Sequence, residues 1–236
     1  MKRLLLIALA AFGPLCVAVL RFVLPYFSAS DSSAAASDVA AHPGTQSLVL
    51  WLGLGATLTL VPGLIALWPR MPAGRLRDIG FSLAVVGYLC LPGILVTDHI
   101  LWLGADQNLP ADTTARLADS VHMSALVQIG LFVPTHIIGI VLIGVLALRR
   151  RLIPTPVAWA LTVSQPLHLA AIILGLPVLD LLAWTLTALG SAWLASATIF
   201  KATSKPDLYT ASAARTSSSA PAPRAPLAVT RPDSST

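Results

Sequence analysis

Several titratable side chains interrupt long apolar runs in this 236-residue chain. They are Asp98, His99, His122, His136, His168 and Asp180, with the carboxamides Gln128 and Gln165 nearby. Three kinds of chemistry suit such a set. Imidazoles held in apolar surroundings can ligate a haem iron or another metal. Ionisable groups strung along a membrane path can pass protons or cations. The same residues can also do no more than hydrogen-bond across helices, at about 0.6 kcal/mol each. His136 and His168 are the candidate haem-binding pair. Asp98, His99, His122, Gln128, Gln165 and Asp180 are the candidate transport-path residues.

The elements that must position these groups are legible in the composition. The chain is 56% hydrophobic and 11% charged, with a mean hydropathy of +0.81. A soluble domain carries about 25% charged residues, so these few cannot cover a water-facing surface. Six apolar runs reach the ~20 residues that cross a ~30 Å bilayer core: 4–24, 47–68, 79–103, 122–148, 156–176 and 178–200. The fold class expected is an all-α, polytopic transmembrane helical bundle. The bilayer itself is then the first partner. Residues 1–201 form the bundle, and 202–236, rich in Ser, Thr, Ala and Pro, read as a disordered tail.

Charge fixes the expected orientation. Lys2 and Arg3, then Arg70, Arg75 and Arg77, then Arg149, Arg150 and Arg151, then Lys201 and Lys205 all fall on one side of six spans. The opposite side holds Arg21 and Arg116 among Asp31, Asp38, Asp106, Asp112, Asp119 and Asp180. The positive-inside rule places both termini in the cytoplasm of a bacterial cell with the protein in its inner membrane. The basic start and apolar core of "MKRLLLIALAAFGPLCVAVL" also fit a signal peptide, but the run outlasts the usual h-region, so an uncleaved first helix is expected. Trp51, Trp102 and Trp184 fall near the outer boundary, and Trp68, Trp159 and Trp193 towards the inner one, as aromatic belts would.

Depth along each helix separates the histidines. At 1.5 Å per residue, His99 lies about 6 Å from the outer boundary, His168 about 12 Å and His136 about 20 Å. Asp98 is as shallow as His99 on this reckoning, within reach of headgroups or water. The depth difference between His136 and His168, about 8 Å, opposes paired ligation of a haem unless helix tilt corrects it. No haem, other cofactor or metal is therefore predicted. HExxH, GxSxG, Walker A and dinucleotide fingerprints are absent from the sequence, so no catalytic residue is assigned. The basic tail does not make a nucleic-acid-binding domain.

Pro14, Pro62, Pro92, Pro134 and Pro166 fall inside spans as kink sites. Small residues recur on the sixth span: Ala183, Thr187, Ser191 and Ala195, then Ala188, Ala192 and Ser196. Such a face allows close packing within the chain, or against a second copy in a homo-oligomer or a membrane partner. The stretch "VLIGVLALRRRLIPTPVAWALTVSQPLHL" (141–169), with "LDLLAWTLTALGSAWLA" (179–195), resembles uncharacterised multi-pass membrane proteins of actinobacteria. That resemblance implies a helical membrane bundle and carries over no functional residue.

Overall fold

The structure is a computed structural model. It describes the backbone of residues 2–203 and the side-chain surroundings of residues 4–197. The tail expected from 202 lies, from residue 204 onward, outside the described residues. Within them the elements are all helical: α1 (Lys2–Val23), α2 (Ser32–Ala41), α3 (Pro43–Leu67), α4 (Arg75–Leu89), α5 (Leu91–Asp106), α6 (Ala111–Asp119), α7 (Met123–Arg149), α8 (Thr155–Leu174) and α9 (Pro177–Thr203). A short 3-10 turn, Trp68–Arg70, extends α3.

Six stretches are long and apolar enough to cross a membrane: Leu4–Val23, Pro43–Arg70, Arg75–Asp106, Met123–Arg149, Thr155–Leu174 and Pro177–Ala197. They coincide with the six expected spans to within a few residues. Large apolar side chains such as Leu58, Ile65, Leu89 and Ile173 face outward. That outer surface is matched to lipid, while backbone polar groups are satisfied inside each helix.

The third span is the one that departs from a continuous helix. It breaks at Cys90, where the Cys90 N–H turns back to the Gly87 carbonyl at 2.9 Å. Pro92, which has no N–H, then sits in the first turn of α5. Proline is at home there and disruptive further in. Pro14, Pro62, Pro134 and Pro166 remain inside continuous helices.

Glycine sets the closest helix crossings. A Cβ on Gly87 of α4 would fall 2.6 Å from the His136 backbone nitrogen of α7, and one on Gly139 of α7 would collide with the Ala84 backbone. A Cβ on Gly63 of α3 would fall 2.8 Å from the Leu9 carbonyl of α1. Small residues are what let membrane helices approach so closely. The small residues of α9 are used in the same way. Ala183, Thr187, Ala188 and Ala195 are buried inside the chain, with Ser191, Ala192 and Ser196 partly so.

One end of the bundle is capped. Two short helices, α2 and α6, lie in the segments between the long apolar stretches. Asp31 accepts from the Ala34 N–H at 2.8 Å and starts α2, the ordinary role of an N-cap aspartate. Ser32 donates to Asp119 and Ser33 to Asp112, tying α2 to α6. Ala35, Ala36, Val39, Leu101 and Ala118 form an apolar cluster joining both to α5. The opposite end carries the turns with Arg70, Arg75, Arg77 and Arg149 to Arg151.

Helices α8 and α9 are joined by only Gly175 and Leu176. Gly175 adopts the left-handed conformation, with φ of 66°. The Leu176 N–H reaches the Ala171 carbonyl at 2.9 Å. This is the Schellman pattern, for which glycine carries no side-chain penalty. Pro177 then starts α9 at once.

Candidate functional site

The tight α8–α9 hairpin lays two polar faces against each other. Ser164, Gln165 and His168 share one side of α8. Asp180, Trp184 and Thr187 share one side of α9, at the three- and four-residue spacing of helical neighbours. Across the seam, the Gln165 carboxamide donates to Thr187 Oγ1 at 2.8 Å and Thr187 donates to Ser164 at 2.9 Å; within α8, Ser164 donates to the Leu161 carbonyl at 2.9 Å. His168 Nδ1 lies 2.5 Å from Asp180 Oδ1. The other Asp180 oxygen accepts from Arg21 Nε of α1 at 2.8 Å. Asp180 is fully buried, and a carboxylate there requires such partners.

Trp184 Nε1 also points at His168 Nδ1, from 3.1 Å. One ring nitrogen cannot donate to a carboxylate and accept from an indole together. The carboxylate is closer and the stronger partner, so we assign the Nδ1 proton to the Asp180 bond.

His136 lies beside this seam. Its Nδ1 donates to the Phe132 carbonyl one turn back, at 2.5 Å. Its ring stacks on Phe132 at 4.2 Å and on Trp184 at 5.7 Å, and the centroids of His136 and His168 are 5.7 Å apart. The two deep histidines, separated by depth counting, therefore meet. Three buried polar atoms around this ring have no hydrogen-bond partner among the described residues: His136 Nε2, Gln165 Oε1 and the Tyr88 hydroxyl. Tyr88 stacks on His136 at 6.0 Å.

Asp98 forms a second polar node. The reach to headgroups or water expected for it is not found, since Asp98 is only 2% exposed. The Tyr26 hydroxyl donates to its Oδ1. Gln46 Nε2 donates to the same oxygen at 3.2 Å and to the Asp98 carbonyl at 3.3 Å. Burial first, and the Asp98 carboxylate second, hold the Tyr26 phenol well above its usual pKa, so it remains a donor. Asp98 and His99 are sequence neighbours but occupy different surroundings. A step of about 100° around the helix turns His99 outward to a groove that it lines with Trp51 and Trp102.

The remaining candidates lie apart. His122 is the exposed N-cap of α7, with its Nδ1 accepting from the Ser124 N–H at 3.2 Å. Gln128 is half-buried and presses on Gly93 of α5. Trp184, placed in an aromatic belt by its sequence position, is instead fully buried between the histidines. Arg21, Tyr26, Gln46 and Trp184 escaped the sequence-based selection. Arg21 alone left a clear signal, as a cation closing an apolar span and facing aspartates.

The two nodes open onto one pocket of about 200 Å³. Its polar lining is Arg21, Tyr26, Asp98 and His168, and its apolar walls include Leu95 and Phe132. Among the described residues, no three His, Cys, Asp or Glu side chains are grouped to hold a metal. His136 and His168 are the residues that could ligate a haem iron, and a porphyrin between them would have to displace Phe132 or Trp184.

No family model matches the chain, no curated protein matches it, and no solved structure matches its fold. The six apolar helices are those of an integral membrane protein.

Proposed function

We propose that this chain is a small, non-enzymatic transport component of a bacterial inner membrane that conducts protons or cations, with both termini in the cytoplasm. One observation carries the reading. A connected set of ionisable groups, the buried His136, His168 and Asp180 with the partly buried Arg21, meets Asp98 at a pocket inside the bundle. Charged residues inside a membrane bundle are costly, and they mark pathways far more often than they improve packing. The unpartnered atoms around His136 support the same reading. Each unsatisfied buried polar group costs about 1–3 kcal/mol, which packing alone gives no reason to keep.

The basic turns with Arg70, Arg75, Arg77 and Arg149 to Arg151, all at the end opposite the cap, support this orientation. Protein reconstituted in liposomes, with a pH-sensitive dye inside and an imposed potential, should show flux above empty liposomes. The His136→Leu/His168→Leu double variant should reduce it at least tenfold. Equal flux in the double variant would sink this reading.

A haem-binding role has one observation in its favour. Both histidines anchor Nδ1 on an oxygen, Phe132 O and Asp180 Oδ1, the arrangement that orients ligating imidazoles. A visible absorption spectrum of the purified protein separates the two readings, because only the haem reading produces a Soret band lost in the double variant.

A further inference from the structure

We infer that the pocket is a binding site for a small organic ammonium ion, with Asp98 as its counter-charge. The inference rests on the cation-transport reading and names the kind of cation.

One pocket carboxylate, Asp98, has no ion pair among the described residues. The Arg21 guanidinium is spent on Asp180, Nε to Oδ2 at 2.8 Å. Arg21 also acts on Asp98 through space, but no cation hydrogen-bonds its carboxylate among the described residues. Its hydrogen bonds come from a phenol and a carboxamide, both neutral, and both bonds to its carboxylate fall on Oδ1. Oδ2 accepts none among the described residues, and Asp98 lines the pocket. A buried carboxylate whose hydrogen bonds come from neutral donors has less compensation than an ion pair gives in low-dielectric surroundings. A cation arriving in the pocket supplies it.

The walls narrow the class further. The Tyr26, Phe132 and Trp184 rings line the same space. Aromatic faces attract ammonium groups and repel anions. Between them lie aliphatic side chains, Leu91, Ile94 and Leu95 among them. A hydrated metal ion gains nothing from such walls, whereas a hydrocarbon body does. The volume of about 200 Å³ falls below the ~300–1,000 Å³ of pockets that enclose drug-sized ligands. The ligand is therefore about the size of one ring with a short aminoalkyl arm.

The structure also marks a way in. Tyr26 lines a second opening, of about 280 Å³, on the capped side with Ser30, Ala35, Leu101 and Ala118. It thus stands between that vestibule and the inner pocket, with its hydroxyl on Asp98. An ammonium that takes the carboxylate from the phenol opens its own path.

The test is equilibrium dialysis of radiolabelled 2-phenylethylammonium against the full chain in phosphatidylcholine nanodiscs, with empty nanodiscs as background. Saturable binding is expected, weakened at least tenfold in Asp98→Asn. Neutral 2-phenylethanol should compete at least tenfold less well than the unlabelled ammonium. Absent saturable binding, unchanged binding in Asp98→Asn, or equal competition by the alcohol would each overturn the inference. Should Asp98→Asn not fold, Ile94→Trp fills the pocket without touching a charge, and binding must then be lost; its persistence overturns the proposal. Proton flux measured on the same preparation separates the two claims. Flux that depends on His168 without ammonium binding leaves the transport reading standing and removes this one. Loss of both results removes both.

Discussion

His136 and Arg21 are both polar residues inside an apolar bundle, yet their replacement should have opposite consequences. His136 donates to its own helix, and its Nε2 has no hydrogen-bond partner among the described residues. Leucine in its place removes an unsatisfied group at similar volume, so His136→Leu is expected to change stability by less than about 1 kcal/mol. Arg21→Leu strips the cation from fully buried Asp180, which should cost about 3–5 kcal/mol. Unfolding midpoints of the two variants in detergent decide the matter. A large loss for His136→Leu would mean that its Nε2 has a structural partner. At this scale the sequence was only partly legible. The titratable residues stand out wherever they occur in apolar runs. Which of them meet does not. Asp98 and His99 share a depth but not a neighbourhood, because a single helical step separates the bundle interior from lipid. Trp184 carries the same amphipathic ring as a belt tryptophan, and only the tertiary contacts place it between two histidines.

The helices themselves were far more legible than their faces. A bilayer demands ~20 apolar residues whatever the fold, so hydropathy alone located the six spans. The same demand erases the amphipathic stripe that marks a buried face in a water-soluble helix. Where lipid and core are equally apolar, glycine becomes the better guide to packing. The α4–α7 crossing depends on Gly87 and Gly139, whereas the small-residue reading had drawn attention to α9 alone. Gly139→Leu is expected to cost about 3 kcal/mol, the upper part of the range for overpacking, because the obstructing atoms are Ala84 backbone. Gly130 is the natural control, since a Cβ there meets nothing within 4 Å. Equal unfolding midpoints for Gly139→Leu and Gly130→Leu would refute the crossing. The break at Cys90 was also hidden. Pro92 marks a kink and the first turn of a new helix equally well, and the hydropathy does not dip between them.

The molecule as a whole has two unlike ends. One is closed by α2 and α6 and carries Asp31, Asp112 and Asp119. The other carries the arginine turns. If the basic end is cytoplasmic, cysteines introduced in the cap at Ser37 and Thr113 should react with an impermeant maleimide added to intact cells. One introduced at Ala73 should react only after lysis. The reverse pattern would invert the molecule and place the Tyr26 vestibule on the cytoplasmic side.

The α8–α9 turn has a consequence for how this protein could change over time. His168 stands seven residues before Gly175, and Asp180 five after it, so the pairing is set by a count of residues. One additional residue between Gly175 and Pro177 would alter no side chain of the pocket. It would nevertheless rotate α9 by about 100° relative to α8, carrying Asp180 away from both His168 and Arg21. The turn acts as a ruler, and its length belongs to the site as much as the carboxylate it measures out. Insertions that most surface loops tolerate would here erase the ion pairs, while point substitutions at Leu176 would leave them intact.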